Sequence, residues 1–417
     1  MTVEQSSAGG SPAAPPGCPA HVPPEQFRHF DYIRDIEAAT TPYDGYLQYR
    51  GEKPFWSDVD GGFWVLTDAA QVRDCFLDPE TFSNRNIGLG YTAFPRTMIP
   101  DQLDPPEHTK YRKLLLPYFP PTAARALEDD IRAIARAEIA AWARRGEVEF
   151  VGQFAGRFPQ IVFLQHLLHF PIEEMETFLQ WEHDMVRHPR DPEDAKRSMF
   201  ALLDYLTNVV AERAAHPIEN DMISGLLQSE IEGRPVTQDE VIDMSFLLFL
   251  AGLDTVTSAL SMSFYFMAQQ PELRDRLVNE PEVIAEAIEE LLRYVSFVNT
   301  IRTANRDIDF HGAPMRAGDR VLPSSVLAAR DPNEHDQPDL IDFDRRAKRS
   351  LAFGVGIHRC LGSHLARVEL EVAFHELHQV MRDYRLDPSR DVLFHGAGIL
   401  GCDQLPLLFT PPGRPHP

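Results

Sequence analysis

The sequence predicts a mainly α-helical protein with a smaller β region. Helical periodicity dominates the long middle part of the chain and is interrupted by proline and glycine. Short apolar runs with tight glycine turns between residues 308 and 322 predict a sheet. A very apolar helix begins at a capping box of Thr237 and Glu240 and ends before Pro271. Because its middle is apolar on nearly every face, we expect it to cross the interior of a large domain.

The other elements follow in chain order. Residues 54–56 and 62–66 predict a strand hairpin, and residues 68–77 predict a short helix. Residues 83–104 form a long loop with glycine and proline breaks, and such loops are usually functional or mobile. A helix starts at Asp104, with prolines and acidic side chains in its first turn. Further helices are predicted at residues 123–145, 172–187, 192–214 and 221–231, and from Pro281 onwards.

Composition argues against several classes of protein. The chain has 417 residues, of which 43% are apolar and 25% charged, as in ordinary soluble globular proteins. A net charge of −23 argues against nucleic acid or an anionic membrane as the main partner. The four cysteines show no Cys-x-x-Cys spacing, which fits a reducing cytoplasm. No signal segment or membrane span is recognisable, so we expect a cytoplasmic protein with no membrane partner.

The stretch FGVGIHRCLGSHLARVE, residues 353–369, is built around a single cysteine. Cys360 lies among Gly354, Gly356 and Gly362, and a helical pattern starts just after it. Glycine has no Cβ, so this backbone can bend sharply and lie close to a flat partner. The N–H groups of the first helical turn favour the thiolate form of the cysteine. The loop is therefore predicted to present a sulfur ligand.

Phe353, Gly356, Cys360 and Gly362 form the pattern Phe-x-x-Gly-x-x-x-Cys-x-Gly. This pattern resembles the cysteine-loop signature of the cytochrome P450 haem-thiolate monooxygenases, and it is long enough to make a chance match rare. The resemblance implies a cytochrome P450 fold with a long central helix over a haem b (iron protoporphyrin IX). It also implies that Cys360 is the axial ligand of the iron, and that Phe353 and Gly354 contact the haem.

The likeness extends from about Pro24 to Leu408 and is nearest to the soluble bacterial group that hydroxylates camphor. The runs DPPEH, GLDTV and Cys-x-Gly-x-x-Leu-Ala-Arg carry it. It implies that residues 25–417 form a single domain and act as a monomer. Residues 1–24 are rich in Pro, Gly, Ser and Ala, and we expect them to be a flexible tail that contains Cys18.

The central helix carries polar side chains where an apolar interior is expected. Asp254 and Thr255 follow Gly252, and each needs a partner because burying an unpaired polar group is costly. The Thr255 hydroxyl lies four residues after Ala251, so it competes for that carbonyl and opens the helix locally. By resemblance, Asp254 and Thr255 are the acid–alcohol pair that delivers protons to bound O2, while the thiolate donates electron density from the other side of the iron.

By the same resemblance, four basic side chains are expected to contact the haem propionates. His108 and Arg112 lie four residues apart on a helix and share a face. The resemblance places this pair, with Arg302 and His358, against the propionates as charge-assisted donors. The residues alone do not distinguish a propionate contact from a surface charge or one partner of a local ion pair.

Two charge patterns lie outside the haem contacts. Glu290 and Arg293 form a solvated pair on sequence alone, whereas the resemblance makes them the buried Glu-x-x-Arg pair that fastens the support of the cysteine loop. The run DRRAKRS predicts a positive spot, which is either a solvated face or a docking site for a [2Fe-2S] ferredoxin served by its reductase. The spot contains Arg345, Arg346, Lys348 and Arg349, and Arg73, Arg112, Lys113 and Arg367 widen it.

An apolar pocket is predicted over the haem, and it favours a small lipophilic substrate. Arg96 stands where the camphor group offers a tyrosine hydroxyl, so it pairs with a substrate carboxylate, reaches a propionate or points to solvent. We expect a terpenoid or norisoprenoid, with an aromatic acid as the alternative. The predicted pocket residues are Leu247, Leu250, Ala251 and Asp254 on one face of the central helix, together with Ile87, Phe94, Arg96, Met98, Phe297, Val298, Ile399 and Leu400.

The predicted activity is insertion of one oxygen atom of O2 into a C–H bond. Two functions of other classes stay open from the sequence. A cysteine hydrolase would use Cys360 with His358 or His364 as its base. A haem-binding sensor or carrier would hold the cofactor without turnover.

Overall fold

The computed structural model describes residues 15–32, 42–86, 96–187, 192–346, 350–396 and 398–413. Over these ranges the chain is mainly helical with a smaller β region, as the sequence predicts. The helices are α1 (Asp44–Leu47), α2 (Ala69–Leu77), α3 (Glu107–Leu115), α4 (Pro121–Ala126), α5 (Glu128–Ala140), α6 (Phe158–Phe163), α7 (Met175–Glu182), α8 (Pro192–Ala215), α9 (Met222–Leu227), α10 (Gln238–Leu253), α11 (Thr255–Met267), α12 (Pro271–Asn279), α13 (Ile284–Val295), α14 (Ser325–Ala328) and α15 (Ser363–Val380).

The strands are short and lie mostly near the two ends of the chain. They are β1 (Phe27–Arg28), β2 (Phe55–Ser57), β3 (Phe63–Leu66), β4 (Phe82–Ser83), β5 (Glu147–Glu149), β6 (Glu230–Ile231), β7 (Arg234–Pro235), β8 (Arg302–Ala304), β9 (Ile308–Phe310), β10 (Ala313–Met315), β11 (Arg320–Pro323), β12 (Arg385–Leu386), β13 (Leu393–His395), β14 (Gly401–Gln404) and β15 (Pro406–Leu408).

The largest described sheet has the strand order β1-β2-β3-β11-β8-β4. The pairs β1–β2 and β3–β11 are parallel, and the other neighbours are antiparallel. The predicted hairpin is present as β2–β3, in which Trp56 faces Trp64. Smaller sheets are built from β9–β10, β12-β15-β5, β13–β14 and β6–β7. The β13–β14 hairpin packs against α11 and so reaches the interior.

Two predicted helices are divided in the structure. The segment 123–145 is broken at Leu127, which ends α4 and precedes α5. The segment 221–231 is helical only to Leu227, and then it turns into the β6–β7 hairpin. Gly233 has a φ of 80° in that turn, a conformation that glycine adopts without steric cost. Strand β6 of this hairpin therefore occupies the end of the segment that the apolar spacing predicts to be helical.

The central helix consists of α10 and α11, which meet at Asp254. The predicted capping box is present, because Thr237 accepts from the Glu240 N–H and the Glu240 carboxylate accepts from the Thr237 N–H. The segment Gln238–Met267 is long and apolar enough to cross a membrane, but 72% of its most apolar window is buried inside the fold. It is therefore the core helix that the sequence predicts.

The helix that follows the cysteine loop is held by packing on several sides. Helix α15 packs against α5, α11 and α13. Its residues Leu370, Ala373, Phe374 and Leu377 are buried in the main core. Since the first turn of α15 continues from the loop, this packing fixes the position of Cys360.

The described chain before residue 25 is packed, which corrects the predicted boundary of the tail. Val22 is 4% exposed in a second, smaller core beneath the largest sheet. The His21 Nε2 lies 2.9 Å from an oxygen of Asp319. The composition of this segment does not indicate these contacts, because their partners lie far along the chain. Residues 1–14, the rest of the predicted tail, lie outside the described residues.

Candidate active site

The cysteine loop runs from Leu351 to the start of α15 and is closed by its own backbone. The Cys360 N–H donates to the Phe353 carbonyl over 2.8 Å, and Gly354 donates to Leu351 over 2.9 Å. Gly354 and Gly356 have φ of 64° and 78°, which side chains rarely allow. A Cβ on Gly356 would also lie 2.6 Å from the Phe76 carbonyl oxygen. These glycines therefore fix the loop against α2.

The Cys360 thiol is exposed on one side, but the surrounding chain is dense. Burial raises the pKa of this thiol, while the Gly362 N–H and the positive charges of Arg112 and Arg359 act to lower it. The groups that the sequence predicts to favour the thiolate are thus present, but they do not outweigh desolvation in the chain by itself. A coordinating metal cation would supply the missing charge, since it removes the proton of a thiol ligand.

His108, Arg112, Arg302 and His358 come together as a basic cluster beside the loop. The rings of His108 and His358 lie 4.3 Å apart, and the Arg112 guanidinium donates to the Arg359 carbonyl. Within the described chain, neither nitrogen of His108 nor Nε2 of His358 has a hydrogen-bond partner, although all three are buried. Burial, followed by the charges of His358 and Arg112, lowers the pKa of His108 to about 4. Buried nitrogens and guanidinium groups of this kind suit carboxylates.

Asn84 and Asp101 hold His358, and the sequence analysis does not identify them. The Asn84 Nδ2 is 3.1 Å from Asp101 Oδ1 and 3.4 Å from His358 Nδ1. Burial raises the pKa of Asp101, but the His358 ring, whose Nδ1 is 3.6 Å from Asp101 Oδ1, and the nearby Arg302 outweigh this effect and lower the pKa. Asp104 accepts from the Ser83 hydroxyl over 2.6 Å and so joins the two ends of the predicted loop. In the sequence, these contacts are indicated by the asparagine and the two aspartates that lie near the ends of the predicted loop.

The central helix opens where the sequence predicts it. The Thr255 Oγ1 donates to the Ala251 carbonyl over 3.1 Å, and the regular helix is interrupted at Asp254. Leu247, Ala251 and Thr255 are the less buried residues and follow one another at a spacing of four. A Cβ on Gly252 would lie 2.7 Å from the ring of Phe163, so α6 and α10 can approach only at a glycine.

Leu250 and Asp254 do not share the open face, which corrects the predicted grouping. Leu250 is 8% exposed and Asp254 is fully buried. Ser258 donates to Asp254 Oδ2 over 3.3 Å, and the His395 Nε2 lies 3.9 Å from the same oxygen. Leu250 and Asp254 each lie about 60° around the helix from the open-face residue three positions before, and so occupy the flank of that face. Asp254 therefore lies beside the open face rather than on it.

Known proteins are similar to this chain in sequence and in fold. A family model described as "Cytochrome P450" matches residues 182–394. "Probable cytochrome P450 127A1" of Sinorhizobium fredii (strain NBRC 101917 / NGR234) is 34% identical over 405 residues, covering 94% of this chain and 97% of that protein. Vitamin D(3) 25-hydroxylase of Pseudonocardia autotrophica is 30% identical, covering 89% and 94%. The chain belongs to the cytochrome P450 family.

Solved cytochrome P450 structures superpose on almost the whole chain. The crystal structure of CYP101C1 has a TM-score of 0.84 and 31% identity, covering 94% of this chain and 100% of that chain. That of CYP101J2 has a TM-score of 0.86 and 26% identity, covering 94% and 99%. Both are of the camphor-type bacterial group, so the predicted fold and the likeness to that group are confirmed. The protein is a cytochrome P450 monooxygenase with a haem cofactor. This function takes the place of the two alternatives from the sequence, a cysteine hydrolase and a haem carrier without turnover.

The residues present fit a haem. At Gly354 and Gly362, an added Cβ would meet no atom within 4 Å, so the loop has open space beside the exposed thiol. The basic cluster offers buried donors to two carboxylates. Cys360 would ligate the iron, and His108, Arg112, Arg302 and His358 would bind the propionates. When bound, the haem iron supplies O2 activation and oxygen transfer.

The predicted pocket segments are partly brought together by this cytochrome P450. Val298 and Ile399 form an antiparallel bridge, and the Leu400 N–H donates to the Phe297 carbonyl over 2.8 Å. Met98 is described and is 4% exposed. Ile87 and Phe94 lie outside the described residues. The segment after α13 and the segment before β14 therefore form one apolar wall.

Arg96 is paired within the chain. Its Nη2 lies 3.1 Å from Asp239 Oδ1, and its Nε donates to Asp243 Oδ1. Both acids lie in the first turns of α10. None of the three predicted roles describes this arrangement, because both carboxylates come from a helix that is distant in sequence. Arg96 fastens its loop to the central helix.

Glu290 and Arg293 form a fully buried ion pair. The Arg293 Nη2 and Nε lie 2.8 Å and 2.9 Å from the Glu290 oxygens. Arg293 also donates to the carbonyls of Ala329, Pro338 and Leu340. Burial raises the pKa of Glu290, but the Arg293 hydrogen bonds, the Asp342 N–H and the Arg345 contact outweigh this effect and lower it. The pair ties α13 to the chain before the cysteine loop.

Arg345 belongs to this ion-pair network, which corrects its predicted role in docking. Its Nε lies 3.0 Å from Glu290 Oε1, and its side chain is 9% exposed. Arg346 is exposed, whereas Lys348 and Arg349 lie outside the described residues. Arg73 pairs with Glu334, and Arg367 pairs with Glu289. Of the predicted wider patch, Lys113 is exposed and follows Arg112, which contacts the Arg359 carbonyl.

Proposed function

We propose that this cytochrome P450 hydroxylates a small terpenoid or norisoprenoid, using O2 and two electrons from a [2Fe-2S] ferredoxin and its reductase. We further propose that it works as a cytoplasmic monomer with a single domain. Cys360 holds the iron, the basic cluster holds the propionates, and Asp254 and Thr255 hold and move the protons.

The observation that carries the substrate proposal is the apolar character of the open face. Leu247 and Ala251 precede Thr255 on that face, and the wall of Phe297, Val298, Ile399 and Leu400 is also apolar. Burial of apolar surface stabilises such a ligand by about 25 cal/mol per Å². Few polar anchors are needed for a compact hydrocarbon with one oxygen.

The pairing of Arg96 argues against an aromatic acid. A substrate carboxylate would have to compete with Asp239 and Asp243, which already surround the guanidinium. Without a cation as partner, burying a carboxylate is strongly unfavourable. The terpenoid is therefore preferred over the acid, although both would undergo the same chemistry.

Ligand titration tests this choice. We expect norisoprenoid ketones and terpene alcohols to displace the sixth ligand of the ferric haem and change its spectrum. An aromatic carboxylic acid of matched size should bind at least about tenfold more weakly, a difference of about 1.4 kcal/mol. Arg96→Gln should leave the terpenoid Kd unchanged, since that side chain serves the loop. Tighter binding of the acid, weakened by Arg96→Gln, would contradict the substrate proposal.

The electron-donor proposal rests on the exposed cations beside the cysteine loop. Lys113 and Arg359 are exposed near this loop in a chain of net charge −23, and exposed Leu77 and Leu116 lie on neighbouring elements. Opposite charges steer an acidic protein to such a place, and salt screens the attraction over about 10 Å at 0.1 M.

Lys113→Glu is expected to slow reduction by an acidic [2Fe-2S] ferredoxin about tenfold at low salt, with a smaller effect at high salt. Stopped-flow reduction of the substrate-bound ferric protein measures this rate. Arg390→Glu provides the control, because Arg390 is exposed after β12 and carries the same charge. Equal rates for both variants, or rates that do not depend on salt, would remove the docking proposal and leave the substrate proposal untouched.

A further inference from the structure

His395 is a buried histidine near the active site, and none of the roles described above involves it. It ends β13, pairs with Gly401 of β14 and is 1% exposed. A Cβ on Gly401 would lie 2.5 Å from Ser258 Oγ and 2.8 Å from His395 Cε1. Glycine therefore lets the hairpin approach α11 closely, which brings the imidazole beside the break in the central helix.

The imidazole lies between two carboxylates. Its Nδ1 is 2.8 Å from Asp403 Oδ1, which is a hydrogen bond. Its Nε2 is 3.9 Å from Asp254 Oδ2, so a small side-chain rotation brings the two atoms within hydrogen-bond distance. Histidine is the side chain that best accepts a proton at one nitrogen and releases one from the other near neutral pH.

The three side chains form a path from the surface to the interior. Asp403 is 20% exposed, whereas His395 and Asp254 are 1% and 0% exposed. Asp403 also lines a surface cleft of ≈ 270 Å³. Arg157, Glu176, Glu182 and His183 line the same cleft, so it is open to solvent and largely polar. Solvent therefore reaches one end of the path, and Asp254 lies at the other.

We propose that His395 relays protons from the cleft to Asp254. Asp403 takes a proton from cleft water and passes it to His395 Nδ1, while His395 Nε2 releases its proton to Asp254 Oδ2. Asp254 gains one proton and the cleft loses one. A half-turn of the ring then points the new N–H at Asp254 and the bare nitrogen at Asp403, ready for the next transfer. Reduction of O2 to one water molecule and one inserted oxygen consumes two protons per turnover, so Asp254 must be recharged from solvent. His395 acts through Asp254 and is not itself a catalytic residue.

His395→Gln tests the relay, because glutamine retains hydrogen bonding but does not exchange protons as imidazole does. We expect ferredoxin-driven product formation to fall about a hundredfold, within the range of general acid–base catalysis, with a larger solvent deuterium isotope effect. The rate of the first electron transfer and the substrate Kd should not change. Hydrogen peroxide brings its own protons, so peroxide-driven product formation should be retained.

A measurement without turnover separates the relay from a structural role. In substrate-free protein labelled with ¹⁵N-histidine, Asp254→Asn should shift the Nε2 resonance of His395, and Asp403→Asn should shift its Nδ1 resonance. His311→Gln is the matched control for His395→Gln, because His311 and Asp74 form a similar pair at 2.9 Å with both side chains partly exposed. Product formation and its isotope effect should not change in this control. An unchanged isotope effect in His395→Gln, or equal loss with peroxide, would overturn the relay. Neither result depends on which substrate is correct.

Discussion

Cys360→Ala is expected to abolish the shifted Soret band of the reduced carbon monoxide complex. The shift depends on a thiolate opposite the bound gas, and no other sulfur lies in the described cysteine loop, residues 350–363. The glycines keep the loop closed without the sulfur, since Cys360 contributes a backbone N–H to that closure. The reduced difference spectrum, at equal haem content, measures the loss.

Cys18→Ala serves as the control for this change. Cys18 is only partly buried, and its sulfur makes local contacts with the Pro19 and Val22 carbonyls. This variant should retain the complete band. If Cys360→Ala also retained it, another residue would be the ligand and the assignment of the site would be lost.

Arg293→Ala is expected to destabilise the fold by roughly 3–5 kcal/mol, because removal of one partner leaves the other charge of a buried pair poorly compensated. Glu290 is fully buried and would keep Arg345 as its charged partner. Arg293 also donates to carbonyls of the segment before the cysteine loop, so haem retention should fall with stability. Urea unfolding of the haem-bound protein measures the free energy of unfolding.

Arg276→Ala removes half of a surface pair and is the matched control. Arg276 lies 2.7 Å from both oxygens of Asp344, which is 73% exposed, so the loss should be less than about 1 kcal/mol. Should Arg293→Ala not fold, Glu290→Gln keeps the shape of the side chain and removes its charge. Surface ion pairs contribute at most about 1 kcal/mol. If both variants of the buried pair stayed within about 1 kcal/mol of the parent in stability, the supporting role of the pair would be contradicted.

Features that depend on neighbours in sequence were predictable. The Thr237–Glu240 capping box, the Asp68 cap of α2 and the Thr255 bond to Ala251 each involve residues at most four apart. Spacing alone determines such contacts, since they require only the local backbone. For the same reason, the cysteine loop and the break in the central helix could be recognised before any tertiary structure was known.

Charges with distant partners could not be assigned in this way. Arg345 and Arg346 are equivalent members of a basic run in the sequence, but one is buried against Glu290 and the other is exposed. Arg96 meets Asp239 and Asp243 only because the loop folds over α10. His395 reaches Asp254 through a strand hairpin whose packing no local pattern contains. Tertiary pairing decides the role of each of these side chains.

The ion pairs of Arg96 also affect how readily this part of the chain can move relative to the central helix. The loop is anchored by charge at the start of the same helix whose later turn carries Thr255. Burial raises the pKa of Asp243, so separating it from its counterion inside the protein is unfavourable. Movement of Arg96 away from α10 therefore requires two ion pairs to break, at the beginning of the helix whose later residues precede Thr255.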